Sequence, residues 1–255
     1  MAAVVTRFDD LAEVYDLMVN WEARLAREAP FFDRLFAEHG VKFIIDAACG
    51  TGRHAVHFAQ RGLQVIGTDL SGAMIRQARR FARERGVKVP FLSLAFDRLG
   101  ARFNGQADGV VCLGNSLAAC GSASAARTAM RNFARSLRPG GLVVIQILDF
   151  DGMRAKRDRF EPPRAGTKDG VEYLLFKFFD LARARVTLNL NIFTRRPGEA
   201  WSWRVVSNDL YAPGAAELGR LARDTGFGRI QLYANHRFEP YRRQADQLLL
   251  TAAKK

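Results

Sequence analysis

The chain has 255 residues, of which 48% are hydrophobic and 25% charged. Those proportions are ordinary for a globular protein and exclude a disordered tail or a collagen-like chain. Lys and Arg total 39 against 26 Asp and Glu, a formal net charge of +13, and no run approaches the ~20 apolar residues of a membrane helix. Met1–Asp10 turns acidic too early for a signal peptide. The three cysteines, Cys49, Cys112 and Cys120, lack CxxC spacing, which argues against a disulfide framework or a zinc site and for a reducing, cytoplasmic setting.

The basic residues are 32 arginines and 7 lysines. They are scattered along almost every segment, whereas a nucleic-acid footprint gathers on one face or helix. The charge therefore reads first as a composition bias.

In chain order, residues 8–40 show apolar positions at helical spacing (Leu11, Val14, Tyr15, Met18, Leu25, Phe32, Leu35, Phe36), which predicts a helical segment closed by Gly40. An alternation follows. Strands are expected at 42–47, 64–69, 89–94, 108–113 and 142–148. Helices are expected at 51–61, 72–85 and 123–137. Ser71 suits an N-cap, and Gly62 and Gly86 suit helix ends. Strands alternating with helices of ~10–15 residues define βαβ units and a mostly parallel sheet.

The pattern changes after Asp149. Residues 151–170 read as a polar loop. Three strand-like runs then follow without helices, at 172–180, 185–194 and 201–210, which predicts an antiparallel excursion. A helix at 215–225 and strands at 229–233 and 247–252 complete the chain. The expected fold is thus α/β, a Rossmann-like, seven-stranded, mostly parallel sheet flanked by helices, with an antiparallel β-rich insertion after the fifth strand. The divisions are an N-terminal helical cap at 1–40, a core at 41–150, the insertion at 151–212 as substrate wall or oligomer interface, and the last helix and two strands at 213–255.

The most informative stretch is Asp46-Ala47-Ala48-Cys49-Gly50-Thr51-Gly52-Arg53-His54. It follows the first strand and opens a helix. Small residues at 48, 50 and 52 permit a tight turn and close approach of a ligand to the backbone. The helix behind offers free N–H groups. Asp69 ends the second strand, where a carboxylate can accept two ribose hydroxyls. The competing dinucleotide fingerprint, GxGxxG, needs a third glycine that this loop lacks.

DAACGTGRHA resembles motif I of class I S-adenosylmethionine-dependent methyltransferases. The resemblance continues through VIGTDLSGAMI, ADGVVCLGNSL and LRPGGLVVI, and so covers about residues 40–150. It implies S-adenosylmethionine as cofactor, S-adenosylhomocysteine as product, and a cofactor site drawn from Ala48, Gly50, Gly52, Asp69, Leu70, Met74, Phe96, Leu113 and Ser116. Within the family, Val111–Ser116 resembles most the glycine and sarcosine N-methyltransferase branch and bacterial small-molecule methyltransferases related to it. That resemblance places Leu113 near the methionine moiety, Asn115 at the substrate end, and Arg24 at the cofactor's carboxylate. Tyr15 and Trp21 are candidates to cover the active site, and Tyr15 and Asn115 to act in catalysis.

Three departures from the family pattern bear on the acceptor and on the adenine. The position at which the glycine enzyme holds its substrate's carboxylate with an arginine is Leu148 here. The usual Asn or Asp that meets adenine is replaced by Ala95, with Phe96-Asp97 beside it. Ala118-Ala119-Cys120 stands where a histidine is frequent. Candidate substrate contacts are Asn115, Asp149, Tyr173, Lys177, Arg204 and Tyr211, of which strand alternation lets only about half face a pocket.

The expected activity is methyl transfer to a small molecule, first of all to an amine nitrogen, with oxygen as the nearest alternative. Metal is not required, and the four histidines (His39, His54, His57, His236) show no ligand spacing. A nucleic-acid methyltransferase is a second class, but Gly114-Asn115-Ser116-Leu117 replaces the [DN]PP[YFW] motif of base-flipping enzymes. A cofactor-binding protein without turnover is a third. A homodimer is compatible with the aromatic-rich insertion.

Overall fold

The computed structural model describes residues 9–182, 185–243 and 245–255. The chain begins with two short 3-10 turns, Asp9–Leu11 and Tyr15–Leu17, and then α1, Trp21–Glu38. The continuous helix expected from residue 8 is thus a strap followed by a helix. The break falls at Asn20, whose side chain accepts from the Ala23 amide at 3.1 Å and caps α1. Such a cap satisfies an otherwise orphaned N–H, so the helix starts there.

The alternating part follows as β1 (Phe43–Ala47), α2 (Arg53–Gln60), β2 (Gln64–Asp69), α3 (Gly72–Glu84), β3 (Phe91–Ser93), α4 (Phe96–Phe103), β4 (Ala107–Cys112), α5 (Ala123–Ser136) and β5 (Leu137–Leu148). Ser71 caps α3 as expected, accepting from the Met74 amide. Helix α4 is an addition to the sequence reading. Its two turns carry Leu99 and Phe103 into the core, a stretch too short for periodicity to reveal.

After β5 come α6 (Phe150–Lys156), β6 (Arg164–Lys168), β7 (Val171–Leu181), β8 (Val186–Arg195) and β9 (Ser202–Leu210), then α7 (Ala215–Asp224), β10 (Phe227–Tyr233) and β11 (Gln247–Lys254). The loop expected at 151–170 therefore holds a short helix and an edge strand. β6 has few apolar residues because it lies at an edge and is exposed along much of its length.

The main sheet has seven strands in the order β10-β11-β5-β4-β1-β2-β3. β1 to β5 are parallel, and β11 runs antiparallel to both β5 and β10. Alternation along each central strand divides the core. Ile45, Val110, Cys112, Val143 and Ile145 pack with α4, α5 and α7, while Ile44, Val111 and Val144 pack with α1, α2 and α3. The insertion forms a separate antiparallel sheet, β6-β7-β8-β9. Its inner face carries Leu175, Leu190 and Ile192, which bury Val14 of the N-terminal strap.

Candidate active site

Strand order reverses between β1 and β4, and the crevice beyond the carboxyl ends of such strands is where open α/β sheets place ligands. A cavity of about 750 Å³ lies there. Its floor is the β1–α2 loop. Ala48, Gly50 and Gly52 all have left-handed φ angles, of 61°, 54° and 79°. Only glycine adopts this region without strain, so the two glycines are dictated by the turn.

Asp69 fixes this loop to the next helix. One carboxylate oxygen accepts from the Gly50 amide at 2.9 Å and the other from the Ser71 amide at 2.8 Å. Burial pushes its carboxyl above the usual range, against the two backbone amides that favour the ionised form. Asp46, the fourth residue of β1, is buried. Burial and, next, the Asp69 charge raise it to about 7, and its Oδ2 has no hydrogen-bond partner.

The opposite wall begins at the end of β4. Gly114 and Asn115 take consecutive left-handed conformations, with φ of 64° and 70°. The Asn115 side-chain oxygen accepts from the Leu148 amide at 3.1 Å, and its own amide donates to the Gln146 carbonyl. Asn115 is thus held against β5 with its carboxamide at the cavity.

A ring of polar side chains closes behind this wall. Arg24 Nε donates to Glu28 at 2.9 Å, and Arg24 Nη2 to Gln146 Oε1 at 2.9 Å. Gln146 Oε1 also accepts from the Gly114 amide, while its nitrogen donates to Gln247 at 2.6 Å. Gln247 Nε2 meets His236 Nδ1 at 3.2 Å, and His236 Nε2 lies 3.9 Å from Glu28. His54 Nε2 adds a contact to Glu28 at 2.8 Å. Burial alone would raise Glu28, but the His54 hydrogen bond, with the nearby positive charge of Arg24, holds it ionised at about 2. Burial depresses both histidines, His236 to about 4. The ring therefore carries one carboxylate and one guanidinium at neutral pH.

The strap forms the lid. Tyr15 is half-buried between the two loops: a Cβ placed on Gly50 would lie 3.7 Å from its ring, and one on Gly114 3.6 Å from its hydroxyl. Burial raises the Tyr15 phenol above its usual value, so it stays a donor. Asp16 accepts from Trp21 Nε1, Thr51 Oγ1 and Arg53 Nη2 at 2.8, 2.7 and 2.6 Å. Asp9 accepts from the Ser71 hydroxyl and the Ala73 amide.

Tyr15, Arg24, Ala48, Gly50, Asp69, Leu70, Met74, Phe96, Asn115 and Ser116 all line the cavity. Gly52 and Leu113 do not. A Cβ on Gly52 would strike Ala78 at 2.8 Å and Phe91 at 2.9 Å, so Gly52 lets α2 pack on α3 and β3. Leu113 belongs to the core on the α1–α3 side. Four expected substrate contacts also fall outside. Asp149 is buried and accepts from the Tyr241 hydroxyl at 2.8 Å. Tyr173 and Arg204 share the inner face of the insertion sheet but lie beyond its cavity section, Tyr173 beside the strap cluster. Tyr211 bonds Glu217 at a separate depression near α7. Lys177 does face the cavity, paired with Glu161 at 2.5 Å. Sequence reasoning missed Glu28, Gln146, Gln247 and Asp16. Gln146 did leave a signal, a polar residue inside the apolar run LVVIQIL.

The fold, the glycine loop and the anchored acid resemble those of class I S-adenosylmethionine-dependent methyltransferases. Residues 44–141 match a methyltransferase domain model. Among curated relatives, the glycine/sarcosine N-methyltransferase of Parasynechococcus marenigrum is 30% identical over 143 residues, 56% of this chain and 51% of that protein. The matched stretch thus spans about half of that relative. The glycine/sarcosine N-methyltransferase of Aphanothece halophytica is 24% identical across 97% of this chain and 89% of its own length. Among solved structures, the CcbJ methyltransferase of Streptomyces caelestis aligns with a TM-score of 0.76 at 22% identity, covering 98% of each chain. Streptomyces venezuelae DesVI aligns with a TM-score of 0.76 at 19% identity, covering 96% of this chain and 98% of its own. These two likenesses show the fold. No group of side chains among the described residues could hold a metal ion, and no described helix is long and apolar enough to cross a membrane.

Proposed function

We propose that the protein transfers a methyl group from S-adenosylmethionine to the nitrogen of a small-molecule amine. The observation that carries this is one cavity bounded by the Asp69-anchored loop, by Arg24, and by Asn115 at the far end. The cofactor, when bound, supplies a methyl group on a positively charged sulfur. The protein then needs neither a nucleophile nor a metal. It must align donor and acceptor and exclude water.

Each residue has a task in that scheme. Asp69 accepts the ribose hydroxyls with the lone pairs its two amide bonds leave over. Arg24, already oriented by Glu28 and Gln146, meets the cofactor's carboxylate together with the Gly114 region. Ala48 and Gly50 allow close backbone approach. Leu70, Met74 and Phe96 bracket the adenine, and Asp97 is placed to receive its amino group in the absence of an Asn or Asp at Ala95. Ser116 is occupied by the Leu113 carbonyl at 2.7 Å and shapes the wall. Tyr15 closes the site and donates toward the reacting centre. Asn115 keeps its amide nitrogen for the acceptor. The relatives named glycine/sarcosine N-methyltransferases support nitrogen over oxygen.

The same reading makes the protein cytoplasmic and not a nucleic-acid enzyme. The outer face of the insertion sheet exposes Phe160, Trp201 and Trp203, which supports a homodimer through that face. Titration calorimetry with S-adenosylmethionine tests the foundation. Micromolar binding by the wild type, weakened in Asp69→Ala, is expected, and no heat of binding would contradict the reading. Size-exclusion with light scattering tests the dimer, and salt-dependent RNA binding at physiological salt would contradict the exclusion of nucleic acid.

A further inference from the structure

The cavity extends past the cofactor loop, and its far part is lined by the insertion sheet. The register places Phe179, Leu188 and Asn208 in one row across β7, β8 and β9, and Lys177, Leu190 and Val206 in the next. All six side chains line the cavity. Leu148, at the end of β5, extends the apolar surface. The polar side chains on this side are the Lys177–Glu161 pair, Asn208 and Asp246.

The charges are unequal. Among the described residues lining the cavity, the cations are Arg24 and Lys177, each already paired with a glutamate at 2.9 Å and 2.5 Å. Four carboxylates line it, Asp69, Asp97, Glu161 and Asp246. A substrate carboxylate entering the insertion side would find no cation unengaged, and burying a charge without a partner is strongly unfavourable. The carboxylates on the insertion side are engaged as well, Glu161 with Lys177 at 2.5 Å and Asp246 with Lys156 at 4.0 Å, so this side offers an apolar wall rather than a free ion of either sign.

Resting on the methyltransferase reading above, we propose that the acceptor is a hydrophobic amine, a primary or secondary amino group on an apolar body without a carboxylate, and that Phe179, Leu188, Leu190 and Val206 select it. The apolar wall favours the amine's neutral form, which is the nucleophile. The nitrogen–carbon bond forms as the carbon–sulfur bond breaks, the electron pair stays on sulfur, and the nitrogen's proton passes to solvent at the mouth.

The test is equilibrium binding of propylamine, pentylamine and heptylamine, and of norleucine, which is pentylamine with a carboxylate added. It is run on the full chain with and without saturating S-adenosylhomocysteine. Affinity is expected to rise about fourfold for each added methylene, the scale of burying one such group. Norleucine should bind at least tenfold more weakly than pentylamine. Leu188→Gln, at a half-buried position, should lower heptylamine affinity about tenfold and leave propylamine unchanged. Affinity independent of chain length, equal affinity for norleucine, or no amine binding in either condition overturns the proposal. Failure of S-adenosylhomocysteine to bind, with the amine series still graded, overturns the cofactor reading instead.

Discussion

Arg24 on α1 and Gln146 on β5 are 122 residues apart in sequence, yet the guanidinium donates to the carboxamide at 2.9 Å. The same carboxamide oxygen takes the Gly114 amide. One polar side chain in the apolar run Leu142–Leu148 therefore sets both the arginine and the β4 loop. Arg24→Ala should weaken S-adenosylmethionine binding by about 1.5–3 kcal/mol, the scale of losing charge-assisted bonds. It should also lower the Tm, because Glu28, 1% exposed, would lose its cation. Calorimetry and thermal melting check the two effects. A melting change without an affinity change would make Arg24 structural alone.

Asp69 has a double part, and a pair of variants separates the two. Asp69→Asn keeps one acceptor oxygen for the Gly50 or Ser71 amide, whereas Asp69→Ala keeps none. The alanine variant should lose about 1.5–3 kcal/mol of cofactor affinity, and the asparagine variant less. Equal affinity of wild type and Asp69→Ala would remove the ribose assignment.

Asp46 gives a pH dependence with a definite sign. Its folded carboxyl lies at about 7 against an ordinary 3.8, so the folded state holds a proton that the unfolded chain releases. Between those limits the native protein binds more protons, and stability falls as pH rises. Asp46→Asn removes this slope. Its stability relative to wild type should grow from pH 4 to pH 7 and then level off, with an upper bound of about 4 kcal/mol at ~1.4 kcal/mol per pH unit. Denaturant unfolding at several pH values reads this directly. A difference between the two proteins that does not change with pH would contradict it.

The strap is held to the cofactor loop by Asp16, which joins Trp21, Thr51 and Arg53. Entry and exit of a bulky ligand require those bonds to open. Asp16→Ala should speed S-adenosylhomocysteine release about tenfold, with a smaller change in association. Stopped-flow displacement measures both rates, and an unchanged release rate would mean that the strap does not gate the site.

Much of this architecture was legible in the sequence. The β1–α2 loop, the Ser71 cap and the switch from parallel to antiparallel strands all leave local signals of period, cap or glycine. The strap was not legible. Val14, Tyr15 and Met18 have helical spacing, but Val14 is buried by the insertion sheet, a partner more than 150 residues away. The polar ring escaped for the same reason, since its members come from α1, α2, β5, β11 and the stretch after β10. Strand alternation puts Tyr173, Lys177 and Arg204 on one face and so does not separate them; only their place along the strands lets Lys177 reach the cavity while Tyr173 and Arg204 lie beyond it.

The most direct measurement is methyl-label transfer from S-adenosylmethionine by the purified wild-type protein. Hydrophobic amines, amino acids, sugars and RNA are offered separately, and the position of the label is read by mass spectrometry. The account predicts label on the nitrogen of a small molecule, with transfer reduced in Asp69→Ala. Label on RNA or on oxygen alone, or full cofactor binding without transfer to any acceptor, would contradict it.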